Sequence, residues 1–387
     1  MVTPIMRYKA GGPTRTTWKV LSLILALVSG VSVHGQQSSD AAETQQGITP
    51  DLRNEDMPLT AKKGNFLAVP IPFSNPTLDS GLVLVGGYFH AQTEKQKATQ
   101  PASATGVMYM KSSNGSYAYG VGNASYWNED RWRFKGFLGY ADLSLPLLVG
   151  DPGSTGLSVD WLLQGKLGYA ALSRKLGGRW YLGLVGRYVD VDQQIDANLQ
   201  SRSLPGKNTI LSAAAGLSLT YDSRDMPGNP YRGRLFTASA LFTSKALGSD
   251  DDYQGYALDY RSYHSLAKPF VLAWTAQYCS RAGDVPLWDA CRLNLRGSAA
   301  TDYMGLSSVV AKVEGRWRLS ERWGLVAFTG AGQLTESFTG GDDYDIVTNY
   351  GAGIRFMVQK SNRVNLRLDY GRVDNDAAIM LSVGEAF

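Results

Sequence analysis

Few residues in this chain of 387 could do chemistry, and their spacing argues for positioning rather than catalysis. The three histidines are His34, His90 and His264, and none stands at ligand spacing from a cysteine or carboxylate, so no zinc site and no histidine-based catalysis is expected. Asp222, Arg224 and Asp225 crowd charge into a short stretch that could suggest a catalytic or metal cluster. Asn229-Pro230 follows closely, and turn formation accounts for the group better. Gly120-Val121-Gly122 and Gly351-Ala352-Gly353 have the glycine spacing of a phosphate loop, yet no helical period follows either, so they read as glycines in curved strands. No cofactor, metal or catalytic residue is assigned, and the chain is expected not to be an enzyme.

Arg7, Lys9, Arg15 and Lys19 precede an apolar run over 20–33, with no acidic residue before Asp40 and small residues ahead of Gln36. This pattern predicts a signal peptide over 1–35, because the run is shorter than the ~20 residues of a spanning helix. A core helix or an uncleaved anchor is the alternative. Cleavage would remove four cations from a formal charge of +4 and leave a neutral chain, so no basic field argues for nucleic acid. Residues 36–63 are polar and are expected to form a flexible periplasmic tether to a folded domain over 64–387. Cys279 and Cys291, twelve positions apart in an exported chain, favour a disulfide over two free thiols.

Stepping along the folded part, apolar residues recur at every second position, the period of a strand with two unlike faces. Trp180, Leu182, Leu184 and Tyr188 share a face opposite Gly183 and Arg187. Val309, Ala311, Val313 and Trp317 oppose Lys312, Glu314 and Arg316, while Leu366, Leu368 and Tyr370 oppose Asn365, Arg367 and Asp369. A soluble sandwich would turn its apolar faces together; a membrane barrel turns them to lipid and its polar faces to the lumen. Tyrosine and tryptophan near segment ends, alternating short and long connections, and segments of ten or more residues favour the barrel. Candidate strands lie at about 82–90, 103–112, 116–127, 131–143, 158–173, 179–193, 210–221, 234–244, 253–264, 269–279, 306–319, 323–335, 346–358, 363–371 and 377–387. A short first strand over 66–69, curtailed by Pro70 and Pro72, would bring these fifteen to the even count of sixteen, with fourteen as the alternative. The fold class is therefore an all-β transmembrane antiparallel barrel. In its last strand Leu381, Val383 and the terminal Phe387 resemble the C-terminal signal of outer-membrane barrels.

The stretch 217–233, Leu-Ser-Leu-Thr-Tyr-Asp-Ser-Arg-Asp-Met-Pro-Gly-Asn-Pro-Tyr-Arg-Gly, resembles the strand and turn of the BamA/TamA (bacterial surface antigen) superfamily, with Asp222, Arg224, Asp225, Pro230 and Gly233 in its motif. Leu295-Arg296-Gly297, the 324–332 strand, and Tyr350-Gly351-Ala352-Gly353 followed by 366–371 agree in the same order. The resemblance implies that the Arg296-Gly297 loop folds into the lumen, with Glu314 as the partner of Arg296. Ser298 replaces the aromatic residue usual after Arg-Gly, and Thr329 stands where many members have an aspartate, so loop locking is expected to differ. The family's periplasmic polypeptide-transport-associated domains do not fit between 35 and 64, so insertase activity is not inherited by analogy.

The location implied is the outer membrane of a Gram-negative bacterium, crossed many times. Partners would be outer-membrane lipid and, as candidates, periplasmic or barrel-assembly proteins. The leading function is outer-membrane assembly or organisation. The alternative is a pore for small solutes lined by Asp259, Arg261, Arg316, Arg355 and Arg367. A phospholipase-type barrel would need an outward Ser/His pair, and none stands out.

Overall fold

The computed structural model describes residues 64–149, 157–196, 208–338, 345–360, 363–374 and 376–387; the predicted leader and tether lie outside the described residues. The strands are β1 (Asn65–Asn75), β2 (Asp79–Phe89), β3 (Ala104–Ser112), β4 (Tyr117–Trp127), β5 (Trp132–Val149), β6 (Leu157–Gly177), β7 (Trp180–Asp196), β8 (Asn208–Asp222), β9 (Gly233–Thr243), β10 (Tyr253–Ala267), β11 (Phe270–Gly283), β12 (Cys291–Arg292), β13 (Met304–Arg318), β14 (Trp323–Ser337), β15 (Ile346–Gln359), β16 (Val364–Val373) and β17 (Asp376–Val383). Each wall strand pairs antiparallel with its neighbours, and β17 returns to β1. The two residues of β12 lie beside β13 inside a connection, which leaves a closed barrel of sixteen strands. One short helix, α1 (Glu94–Thr99), with its Thr93 cap, interrupts the connection from β2 to β3.

The two faces separate as the period-two pattern requires. Leu182, Leu184 and Tyr188 of β7 are exposed outward, while Tyr181, Val185, Arg187, Val189 and Val191 are buried inward. Charged and aromatic residues close the connections at the end that carries both chain ends, as at Trp127, Trp180, Trp317 and Trp323.

Three expectations change. The first strand is not confined to 66–69: β1 runs eleven residues through both prolines, in register with β2 from Asn65↔Phe89 to Asn75↔Asp79. A proline is tolerated beside a continuous ladder only where its missing N–H faces the other way. Beyond β1 on that side lies β17, paired at one position only, Ser74↔Leu381, so the two missing donors fall on the seam and the β1–β2 ladder stays complete. The last strand stops at Val383 rather than 387: Gly384, at φ 90°, turns the chain inward, and Phe387 is buried against Tyr263 and Ala273. The interior, finally, is not polar throughout. Phe73, Val83, Met110, Leu145, Trp161 and Leu163 pack with Trp288, Ala290 and Met304 into an apolar core. The cause is the connection from β11 to β13, which enters the lumen and excludes water from that side of it.

Because Trp161 is fully buried in this core, Trp161→Ala should lower stability by about 3–5 kcal/mol. Leu184→Ala, on the outer face, should cost markedly less. The temperature at which the folded band disappears from unheated detergent gels would separate the two.

Candidate functional site: an inward loop held by reciprocal ion pairs

The connection 284–303 carries the residues that could work on one another. It is tied at its start by the disulfide between Cys279 of β11 and Cys291 of β12. Leu293, Leu295 and Tyr303 then pack on Val310, Leu334 and Val373 of the wall. Farther round, Ala300 N–H donates to Thr77 Oγ1 at 2.8 Å, and the Thr301 hydroxyl donates to the Pro146 carbonyl, so the loop reaches the opposite wall near β1 and β5.

Arg296 projects from this loop into the wall. Its Nη2 lies 2.5 Å from Glu314 Oε2 of β13, its Nη1 3.0 Å from Asp369 Oδ2 of β16, and its guanidinium carbon 3.3 Å from the centre of the Phe328 ring of β14. Asn349 Nδ2 donates to the Arg296 carbonyl at 3.0 Å. The next residue, Gly297, has φ 120°, and a Cβ there would stand 2.8 Å from the Gly371 backbone, so only glycine fits. The carboxylates are shared: Glu314 also meets Arg316 at 2.7 Å, Asp369 meets Arg355 at 2.6 Å, and Arg355 meets Glu385 of the inturned tail at 2.9 Å. The glycines of β15 make this crowding possible. A Cβ on Gly351 would lie 2.4 Å from the Phe328 ring, and one on Gly353 2.0 Å from Asp369 Oδ1.

A second anchor runs in the opposite sense. Asp289 of the loop accepts from Arg187 of β7 at 3.0 and 2.8 Å, from Arg281 of β11 at 2.6 Å, and from the Tyr253 hydroxyl of β10 at 2.8 Å. Burial opposes its charge, but Arg187 and then Arg281 more than reverse this and hold its pKa down at about 2. Sequence reading missed Asp289, Asp369 and Phe328. Arg187 carried a usable signal: one arginine on the inward face of an otherwise apolar strand requires a partner.

The turn motif does structural work. Asp222 chelates Arg224 at 3.0 and 2.8 Å, and Asp225 accepts from the N–H groups of Tyr231 and Arg232. A Cβ on Gly233 would stand 2.2 Å from the Ser223 carbonyl. The turn reaches across the barrel mouth: Asp225 pairs with Arg363 at 2.6 Å, Asn229 donates to the Arg363 carbonyl at 2.9 Å, and the Pro230 carbonyl accepts from Arg316 at 3.5 Å. The C-terminal group is not brought into one line: Leu381 sits on the seam opposite Ser74, Val383 packs against the apolar core, and Phe387 is turned inward. Of the residues considered as pore lining, Arg316 and Arg355 belong to the ion-pair network, and Asp259 and Arg261 chelate each other at 2.9 and 2.8 Å. Among the described residues no group of three or more His, Cys, Asp or Glu could hold a metal ion.

Removing one partner of a buried pair leaves the other charge stranded, at about 3–5 kcal/mol. Asp289→Asn and Arg296→Ala should each cost about that much and expose the loop to protease added from its own side of the membrane. Asp302, also in the loop, has its pKa pushed up to about 6 by burial, from an ordinary 3.8. The folded state therefore holds this proton more tightly than the unfolded chain. Its contribution is complete below pH 3.8 and lost as the pH rises through 6. Asp302→Asn should flatten that part of the stability profile in detergent and stabilise the barrel at neutral pH by about 1–3 kcal/mol.

The model of the Omp85 superfamily domain matches residues 123–387. Among solved structures, BamA from Haemophilus ducreyi lacking POTRA domains 1–3 superposes with a TM-score of 0.60 at 12% identity, over 84% of this chain and 70% of that one. CdiB from Escherichia coli gives 0.55 at 13%, over 83% and 62%, and CdiB from Acinetobacter baumannii 0.53 at 12%, over 84% and 60%. The chain thus spans about three fifths of either CdiB, and at these identities the likeness is one of fold. No protein of curated function matches the sequence. Two thirds of the chain falls within the matched family region, and the chain belongs to the Omp85 superfamily.

Proposed function

We propose that this barrel serves outer-membrane assembly or organisation, in the protein-insertion and secretion class of its superfamily, and that it works through the seam between β1 and β17. The proposed organisation is a leader over 1–35, a periplasmic tether over 36–63 and a barrel from 64 in a Gram-negative outer membrane, with lipid and periplasmic or barrel-assembly proteins as partners. The observation that carries this reading is the unequal pairing of the wall. β1 meets β2 at eleven register positions and β16 meets β17 at eight, while β1 meets β17 at one. Pro70 and Pro72 lack the N–H groups that would extend the seam, and Gly384 turns β17 away before it can. An incompletely paired strand edge that faces lipid is a template for another strand. The loop-filled lumen supports passage at the wall rather than through the centre.

A solute pore is the second reading, favoured by the partly exposed Asp259 and Arg261 on the inward face of β10. Persistent large currents in planar bilayers would support it and sink the plugged-barrel reading.

Ser74 and Leu381 face each other across the seam, so the double variant Ser74→Cys/Leu381→Cys provides a lock. Liposomes containing the reduced variant should insert an unfolded client barrel faster than empty liposomes. Oxidation should abolish that acceleration and mild reductant restore it. Equal rates in the locked and unlocked states would refute the role of the seam.

A further inference from the structure

The two rims of the barrel carry opposite charge. At the rim that holds both chain ends, Arg131, Arg174, Arg179, Arg232, Arg318 and Arg322 are exposed, and none has a carboxylate within ion-pair distance among the described residues. Two lie against aromatic rings instead: Arg174 is 5.5 Å from the Trp132 ring and Arg318 5.0 Å from that of Tyr231. At the far rim the exposed charges are mainly acidic, among them Asp79, Asp160, Asp250, Asp284, Asp374 and Asp376.

We propose that the rim bearing the chain ends is a binding surface for anionic phospholipid headgroups. This rests on reading the chain as a membrane barrel. Two observations favour lipid over an acidic protein. The cations are distributed from the β4–β5 connection through β6–β7 and β8–β9 to β13–β14, most of the way round the barrel, whereas a protein partner would leave a footprint on one side. They also stand beside exposed Trp180, Trp317 and Trp323, the side chains that settle at headgroup depth. Guanidinium groups at that depth meet lipid phosphates directly and can bind them in bidentate fashion. The acidic far rim gives the barrel a sense of direction, because an anionic leaflet attracts one end and repels the other.

The test uses tryptophan quenching in the full chain refolded into vesicles that contain an equal, low fraction of brominated phosphatidylglycerol or brominated phosphatidylcholine. At low salt the anionic lipid should associate about 3-fold or more better than the zwitterionic one, with the ratio falling toward 1 at high salt. Arg131→Gln/Arg174→Gln/Arg179→Gln/Arg322→Gln should bring the ratio near 1, and the smaller Arg131→Gln/Arg174→Gln variant should lower it partway. Lys111→Gln/Lys245→Gln, on the far rim, should leave it unchanged. Equal quenching by both lipids in the unsubstituted protein would overturn the proposal while leaving the barrel reading intact. No quenching by either would remove the barrel reading as well.

Discussion

A guanidinium inside a protein wall is costly without a carboxylate at hydrogen-bond distance, and Arg187, Arg281, Arg296, Arg316 and Arg355 in the interior of this barrel all have one. The loop sends an arginine to acids on the wall, Glu314 and Asp369, and an acid, Asp289, to arginines on the wall, Arg187 and Arg281. Each side holds what the other lacks. Withdrawing the loop would strand charge at both sites and also uncover Trp288 and Leu293, which are almost entirely buried. The disulfide between Cys279 and Cys291 keeps the start of the loop beside β11, so Asp289 returns to the same pocket after any excursion. The strong interactions of the molecule are therefore concentrated across the lumen, at right angles to the wall.

The wall itself is uneven, and the unevenness follows from strand length and proline placement. β5, β6 and β7 run 18, 21 and 17 residues and pair along nearly all of them, while β1 and β17 touch at one position. A barrel with a packed centre and one under-paired seam does not lose its shape when the seam parts, because the loop braces opposite walls through Thr77, Pro146, Glu314 and Arg187. Loop and seam then have complementary roles: the former preserves the barrel while the latter changes.

Much of the fold was legible because a strand that separates lipid from an interior must alternate, and alternation survives in any single segment such as 180–188 or 309–317. What failed were features set by partners distant in sequence. Pro70 and Pro72 look like strand breakers until the strand on that side, β17, proves to share only one ladder position with β1. Phe387 looks like the end of an outward ladder until Gly384 turns it toward Tyr263 and Ala273. At the site, Arg296 and Glu314 came from resemblance to a family, since no local pattern connects positions eighteen apart through a lumen. Asp369 sat in plain view on a polar strand face, but its pairing depends on Gly353 leaving room, a three-strand relation that no one-dimensional pattern encodes.

Strand length bears on the seam in one further way. A strand tilted at about 45° needs about 9–11 residues to cross the hydrocarbon. The strands beside the seam only reach or miss that length: β17 has 8 residues, β16 has 10, β1 has 11 and β3 has 9, whereas β5, β6 and β7 exceed it by half or more, and β9, with 11, is as short as β1 but is paired along both its edges. Lipid next to a short wall has to thin or let its headgroups dip, at a cost that grows with each ångström of mismatch. That cost falls where the wall has the fewest inter-strand bonds to lose. An incoming strand at this place would relieve mismatch and satisfy unpaired backbone groups together. Elsewhere, even at the short β4 and β9, it would meet a ladder already complete on both sides.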